Sequence, residues 1–205
     1  MISFQQIIEN RYPEFVKRHR RVAMVISRFL GFLFYEKRFQ QFERDYPHLE
    51  GFDFVEAVLR YFDFHLRLRE FERARIPSSG RVVIVANHPI GSLDGLGLLN
   101  LVRQVRPDVK VIANDMLLAL NPLHRVLLPV DNMGGNTARQ NLRNIRAHLE
   151  SEGALIIFPA GEVSRFGPRG VKDGKWQAGF VKIASSTKAP ILPIFVKGRN
   201  SIFFY

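Results

Sequence analysis

The sequence predicts an α/β protein: an N-terminal helical segment over residues 1–76, then a mainly parallel sheet covered by helices over 77–205. Three observations carry this. Apolar residues early in the chain recur at helical spacings, while later ones form short runs rich in Val and Ile. Those runs alternate with segments of helical pattern, the signature of strand–helix–strand units. A length of 205 residues with 46% hydrophobic and 24% charged residues suits one folded domain with a proper core.

The first element is the apolar run Val22–Tyr35, preceded by Arg11, Lys17, Arg18, Arg20 and Arg21. Arg28 interrupts it and no small-residue cleavage site follows, so it does not read as a signal peptide. It is also short of the about 20 apolar residues needed to cross a ~30 Å bilayer core. Basic residues beside Met24, Ile26, Phe29, Leu30, Phe32, Leu33 and Phe34 suit a segment lying in the membrane interface. A helix packed on the protein's own core fits the same pattern. From Phe52, the apolar positions Val55, Val58, Leu59, Phe62, Leu66 and Phe71 extend a helical stripe.

Pro77-Ser78-Ser79-Gly80 breaks the helical pattern. Beyond it, strands are expected at Arg81–Ala86, Val109–Ala113, Val126–Val130, Ala154–Phe158 and Ile191–Val196. Helices are expected at Ser92–Arg103, Thr137–Glu150 and Trp176–Ser186, with a shorter one near Met116. There is no internal repeat and no low-complexity tract.

The absence of cysteine excludes disulfides and thiolate metal sites. The net charge of +11 is unevenly divided: residues 1–80 carry +3 and residues 81–205 carry +8. That excess favours an anionic partner such as a lipid headgroup, an acidic carrier protein or nucleic acid, against the plainer reading of a basic soluble protein. No helix-turn-helix, RNA-binding or zinc pattern is visible, which argues against nucleic acid.

Four segments are placed to carry chemistry. Asn87-His88-Pro89-Ile90-Gly91-Ser92-Leu93-Asp94-Gly95 lies between a buried strand and a helix, where α/β proteins keep their reactive groups. A neutral imidazole held by a carboxylate takes a proton from a hydroxyl, which makes His88 and Asp94 a candidate catalytic pair. On one continuous helix their spacing would put them on different faces, so the segment must coil irregularly, as Pro89 and Gly91 allow. A capping His and a solvated Asp is the alternative.

The second segment, Phe158-Pro159-Ala160-Gly161-Glu162-Val163-Ser164-Arg165, ends another strand and is expected beside the first turn. There Glu162 and Arg165 are candidates to bind a substrate hydroxyl or phosphate, and the Gly161 N–H a candidate to face an oxyanion. An exposed turn with ordinary surface charges is the alternative. The third segment, Leu128–Asn136, runs from a strand into a loop that includes Asn132, and the fourth is Pro190-Ile191-Leu192-Pro193-Ile194.

Together, and in this order, the four segments resemble the blocks of the glycerolipid acyltransferase family: a His-x4-Asp turn, an acceptor-binding block, a Phe-Pro-Glu-Gly block and a Val-Pro-type strand. The nearer resemblance is to the hemolysin-like branch, which includes acyltransferases that make ornithine lipids and other aminolipids. There the first block reads Asn-His-Pro-x-Gly-x-x-Asp-Gly, as at Asn87–Gly95, and the third Phe-Pro-Ala-Gly-Glu, as at Phe158–Glu162. The resemblance runs from about Gly51 to Ser201. Proteins of that branch continue beyond the position of the apolar end Ile202-Phe203-Phe204-Tyr205, so a truncated domain is one expectation.

The resemblance implies a glycerol-3-phosphate acyltransferase-like fold and acyl transfer from a thioester, of acyl carrier protein or CoA, to a lyso-lipid hydroxyl. His88 is implied as general base and Asp94 as its orienting partner. Asn87, Gly91, Asn132, Gly161, Glu162 and Arg165 are implied in substrate binding. The resemblance calls for no cofactor beyond the thioester co-substrate and no metal, and it implies peripheral attachment at the cytoplasmic face of the cell membrane. Two departures stand out. Ala160 replaces the Glu of the wider family, with Glu162 two positions on. Asn132 falls near that family's phosphate-binding Arg, for which Arg139, Arg165 or Arg169 are substitutes, unless the acceptor lacks the phosphate as a lyso-aminolipid does. Other readings are a lysophosphatidic-acid-type enzyme, a non-catalytic anionic-lipid-binding protein, and a hydrolase with His88, Asp94 and Glu162 on a metal, though no paired-His spacing supports the last.

Overall fold

The computed structural model describes residues 9, 12–33, 41–42, 44–113, 120–130, 136–167 and 170–198. Helices α1 (Pro13–Arg18) and α2 (Arg20–Leu33) lie in one unit, Met1–Leu49, and everything after belongs to a second, Glu50–Tyr205. In the second unit the order is α3 (Gly51–Tyr61), α4 (Glu70–Arg73), β1 (Val82–Ala86), α5 (Ser92–Arg103), β2 (Lys110–Ala113) and β3 (Leu127–Pro129). Then come α6 (Asn136–Glu150), β4 (Ala154–Ile157), β5 (Arg165–Gly167), β6 (Gly170–Lys172), α7 (Gly179–Thr187) and β7 (Ile191–Ile194). The expected helix near Met116, and the positions of Asn132 and Arg169, lie outside the described residues.

In the first unit, α1 starts on Pro13, whose fixed φ and missing N–H suit a first helical position. On α2 the apolar side chains of Val22, Met24, Val25 and Ile26 are exposed. Among the described residues no helix is long and apolar enough to cross a membrane.

The sheet of the second unit has five parallel strands in the order β3-β2-β4-β1-β7. The expected mainly parallel, helix-covered sheet is therefore what forms. Its central strands are those with unbroken apolar runs, Val82-Val83-Ile84-Val85-Ala86 and Ala154-Leu155-Ile156-Ile157, every residue of which is buried. Val83, Val85, Leu155 and Ile157 form one core with Ile145 and Leu149 of α6 and Ala184 of α7. By strand alternation Ile84 and Ile156 turn to the other face, the side of α5. β7 carries Pro193, tolerated because among the described residues only one of its sides is paired; an edge strand needs no ladder from its outer side.

Two expectations are corrected here. The helical stripe from Phe52 does not reach Phe71. It stops at Phe62, where Asp63 takes φ 51° and the N–H groups of Asp63 and Phe64 bond back to the carbonyls of Arg60 and Leu59. This is the Schellman closure, built on Asp in place of the usual glycine. Phe64 and Leu66 instead lie against Gly97 of α5, where a Cβ would stand 2.9 Å from Phe64. The second is an antiparallel ribbon, β5–β6, which begins at the Arg165 end of the expected turn, where no strand was expected.

At the N-terminal ends of the strands, the loop after α4 is locked by Arg106. Its guanidinium donates to the carbonyls of Pro77 (3.2 Å), Gly80 (2.7 Å) and Glu152 (2.6 Å) and to both oxygens of Asp108 (2.9 and 2.7 Å). Glu152 in turn holds the guanidinium and backbone N–H of Arg81. Arg106 pulls the Asp108 carboxyl below its usual range, and burial pushes the His148 imidazole, bonded to the Ala154 carbonyl at 2.9 Å, below its own.

Candidate active site

The chain leaves β1 into α5 on one face of the sheet and leaves the adjacent β4 toward α7 on the other. Such a reversal opens a crevice at the C-terminal ends of the two strands. Both turns singled out in the sequence meet there. Ser164 donates its N–H to the His88 carbonyl at 2.8 Å, and Val163 lies against Gly91.

The first turn is built around one carboxylate. Asp94, third residue of α5 and fully buried, accepts the N–H groups of Ile90 (2.7 Å) and Gly91 (3.3 Å) on Oδ2. Two backbone donors and the positive end of a helix stabilise its charge in a site without solvent. Oδ1 is then free to face the imidazole, and stands 2.6 Å from His88 Nδ1. The contact is close but lacks the alignment of a linear N–H···O bond, and neither atom has another hydrogen-bond partner among the described residues. Apo sites often show such bonds before substrate tightens them.

Gly91 explains how a gap of five residues still closes the pair. Its φ of 102° turns the chain back on itself, and a Cβ there would be strained and would meet Val163 at 3.2 Å. Here Gly91 acts as a backbone hinge. Asn87 is likewise tied up, its amide paired with the backbone N–H (2.7 Å) and C=O (2.9 Å) of Val196, just beyond β7. The His88 ring stacks on Phe158 with centroids 4.1 Å apart and is 17% exposed. With Nδ1 facing Asp94, Nε2 is the nitrogen left for proton transfer.

The second turn is more open. Gly161 takes φ 69° and donates its N–H to the Phe158 carbonyl at 3.0 Å, so the group expected to meet an oxyanion closes the turn instead. Glu162 and Arg165 pair with each other at 2.5 Å at the surface. Gly161 and Glu162 also line an open cleft of about 700 Å³, opposite Gln177 and Lys182. Arg139 is exposed on α6.

Sequence reasoning missed Asp173. It accepts the His88 N–H (3.1 Å) and the Ser164 hydroxyl (2.5 Å) on Oδ1, and Trp176 Nε1–H (2.8 Å) on Oδ2. Lys172-Asp173-Gly174-Lys175 reads locally as a charged surface turn, so no signal in the sequence marks it.

A family model described as an acyltransferase matches residues 7–205. Two lyso-glycine lipid O-acyltransferases, from Phocaeicola vulgatus and Bacteroides thetaiotaomicron, are each 28% identical over 206 residues. The match covers all of this chain, 72% of the first and 74% of the second. An uncharacterized protein of Mycobacterium tuberculosis is 30% identical over 200 residues, covering 89% of this chain and 52% of its own.

Proposed function

This chain belongs to the acyltransferase family, and we propose that it moves a fatty acyl chain from a thioester, of acyl carrier protein or CoA, to the hydroxyl of a lyso-lipid. The reading rests above all on His88 and Asp94: a largely buried imidazole, 17% exposed, 2.6 Å from a fully buried, backbone-held carboxylate. His88 Nε2 takes the acceptor proton as the hydroxyl oxygen attacks the thioester carbonyl. Asp94 fixes the tautomer and stabilises the imidazolium. Collapse of the tetrahedral intermediate breaks the C–S bond, and the imidazolium returns its proton to the departing thiolate. Ester and free thiol are the products, with no acyl-enzyme and no metal in the cycle.

The acceptor we propose is a lyso-aminolipid, of which lyso-ornithine lipid is one form. The relatives named for a lyso-glycine lipid support an amino-acid head group, as does Asn132 near where the wider family binds phosphate. We place the enzyme at the cytoplasmic face of the cell membrane. Exposed Val22, Met24, Val25 and Ile26, beside Lys17, Arg18, Arg20 and Arg21, support an interfacial seat on anionic lipid.

The purified protein, given an acyl thioester and separately lyso-glycine lipid, lyso-ornithine lipid and lysophosphatidic acid, is expected to release thiol with the first two. His88→Ala should lower turnover by about 10³-fold or more. Turnover persisting in His88→Ala would sink the assigned base, and preference for lysophosphatidic acid would replace the acceptor.

A further inference from the structure

We propose that Asp173 is a positioning residue for His88, and that with Ser164 it couples the β5–β6 ribbon to the orientation of the imidazole. Among the described residues the ribbon pairs with no other strand, and a lone two-stranded hairpin is marginal in water. Its two feet, Ser164 just before β5 and Asp173 just after β6, grip a single residue. Ser164 N–H donates to the His88 carbonyl at 2.8 Å, and Asp173 Oδ1 accepts the His88 N–H at 3.1 Å. Oδ1 also takes the Ser164 hydroxyl, closing a ring of three residues around the His88 backbone. The next bond along from that backbone is the one that aims the ring at Asp94 and Phe158.

The chemistry explains why this residue is an acid. Asp173 meets three donors, the His88 N–H, the Ser164 hydroxyl and Trp176 Nε1–H, and forms no ion pair among the described residues. Only a carboxylate accepts on both oxygens; an amide would set an N–H₂ against one of the donors. Trp176 holds Oδ2 and so fixes which oxygen faces His88.

Asp173→Asn, nearly isosteric, is the test, with Asp173→Asn/Trp176→Phe as its rescue. The amide variant should lower kcat by about 10- to 100-fold at unchanged KM, because misplacing a catalytic base costs rate more than binding. Removing the Trp176 donor lets the amide nitrogen take that side, so the double variant should recover most of the loss. The ¹⁵N and ¹H resonances of the His88 ring report the same shift and return without turnover. They decide the proposal even if the acyl-transfer reading, on which the rate measurement rests, proves wrong. Unchanged ring resonances in folded Asp173→Asn overturn it, as does a double variant no better than the single. Should Asp173→Asn fold poorly, Ser164→Ala, which keeps its backbone N–H, carries the same readout with a smaller shift.

Discussion

The two ends of the parallel sheet both hold buried charge, and they treat it in opposite ways. At the N-terminal ends, Arg106 spends its guanidinium on three carbonyls and a carboxylate, and Glu152 answers Arg81. At the C-terminal ends, Asp94 faces an imidazole and two amides, and Asp173 faces three neutral donors. Opposite charges cancel around buried Arg106 at one end and are withheld from buried Asp94 at the other, where the Glu162–Arg165 pair stays at the surface. A saturated network holds the fold, whereas a carboxylate without a fixed cation can respond when an imidazole gains a proton.

The sharpest way to test this division is Asp94→Asn. It should cut kcat by about 10³-fold by losing the tautomer-fixing charge. Global stability should change far less, since an amide oxygen can still accept the Ile90 N–H. A large fall in melting temperature with modest loss of rate would make Asp94 a structural cap. Arg106→Met should do the reverse, costing about 3 kcal/mol of stability by orphaning carbonyls at a buried site while leaving kcat of the folded enzyme intact. Urea titration beside initial rates separates the two classes.

The smallest effect is in pH. Arg106 lowers the Asp108 carboxyl, so the unfolded chain binds its proton more readily than the folded one. That contribution is complete above the unfolded value near pH 4, and is lost as pH falls through the lower folded one. Arg106→Met should flatten this acid slope in urea midpoints, and an unchanged slope would remove Asp108 from the lock.

Legibility in the sequence follows the same division between local and distant causes. β1, β4 and the span Ser92–Arg103 were readable because continuous apolar runs and a Gly-flanked helix start are local signals. The His88–Asp94 contact was readable for the same reason, since one turn contains both. The expected helix from Trp176 begins only at Gly179, because Trp176 is drawn to Asp173 and the Gln177 N–H to the Pro159 carbonyl at 2.9 Å. The end of the stripe at Asp63 was hidden because αL closure normally advertises itself with glycine. Asp173 was illegible because its meaning comes from His88, 85 positions away.

Asn87 and Val196 are 109 positions apart, yet the turn that carries His88 is moored by their pairing. A ribosome adding about 5–20 residues per second needs roughly 5 to 20 seconds to cover that distance. For that interval the first strand of the sheet has emerged while its mooring has not been made. A chain that ends short of Val196 lacks this mooring for the turn that carries His88.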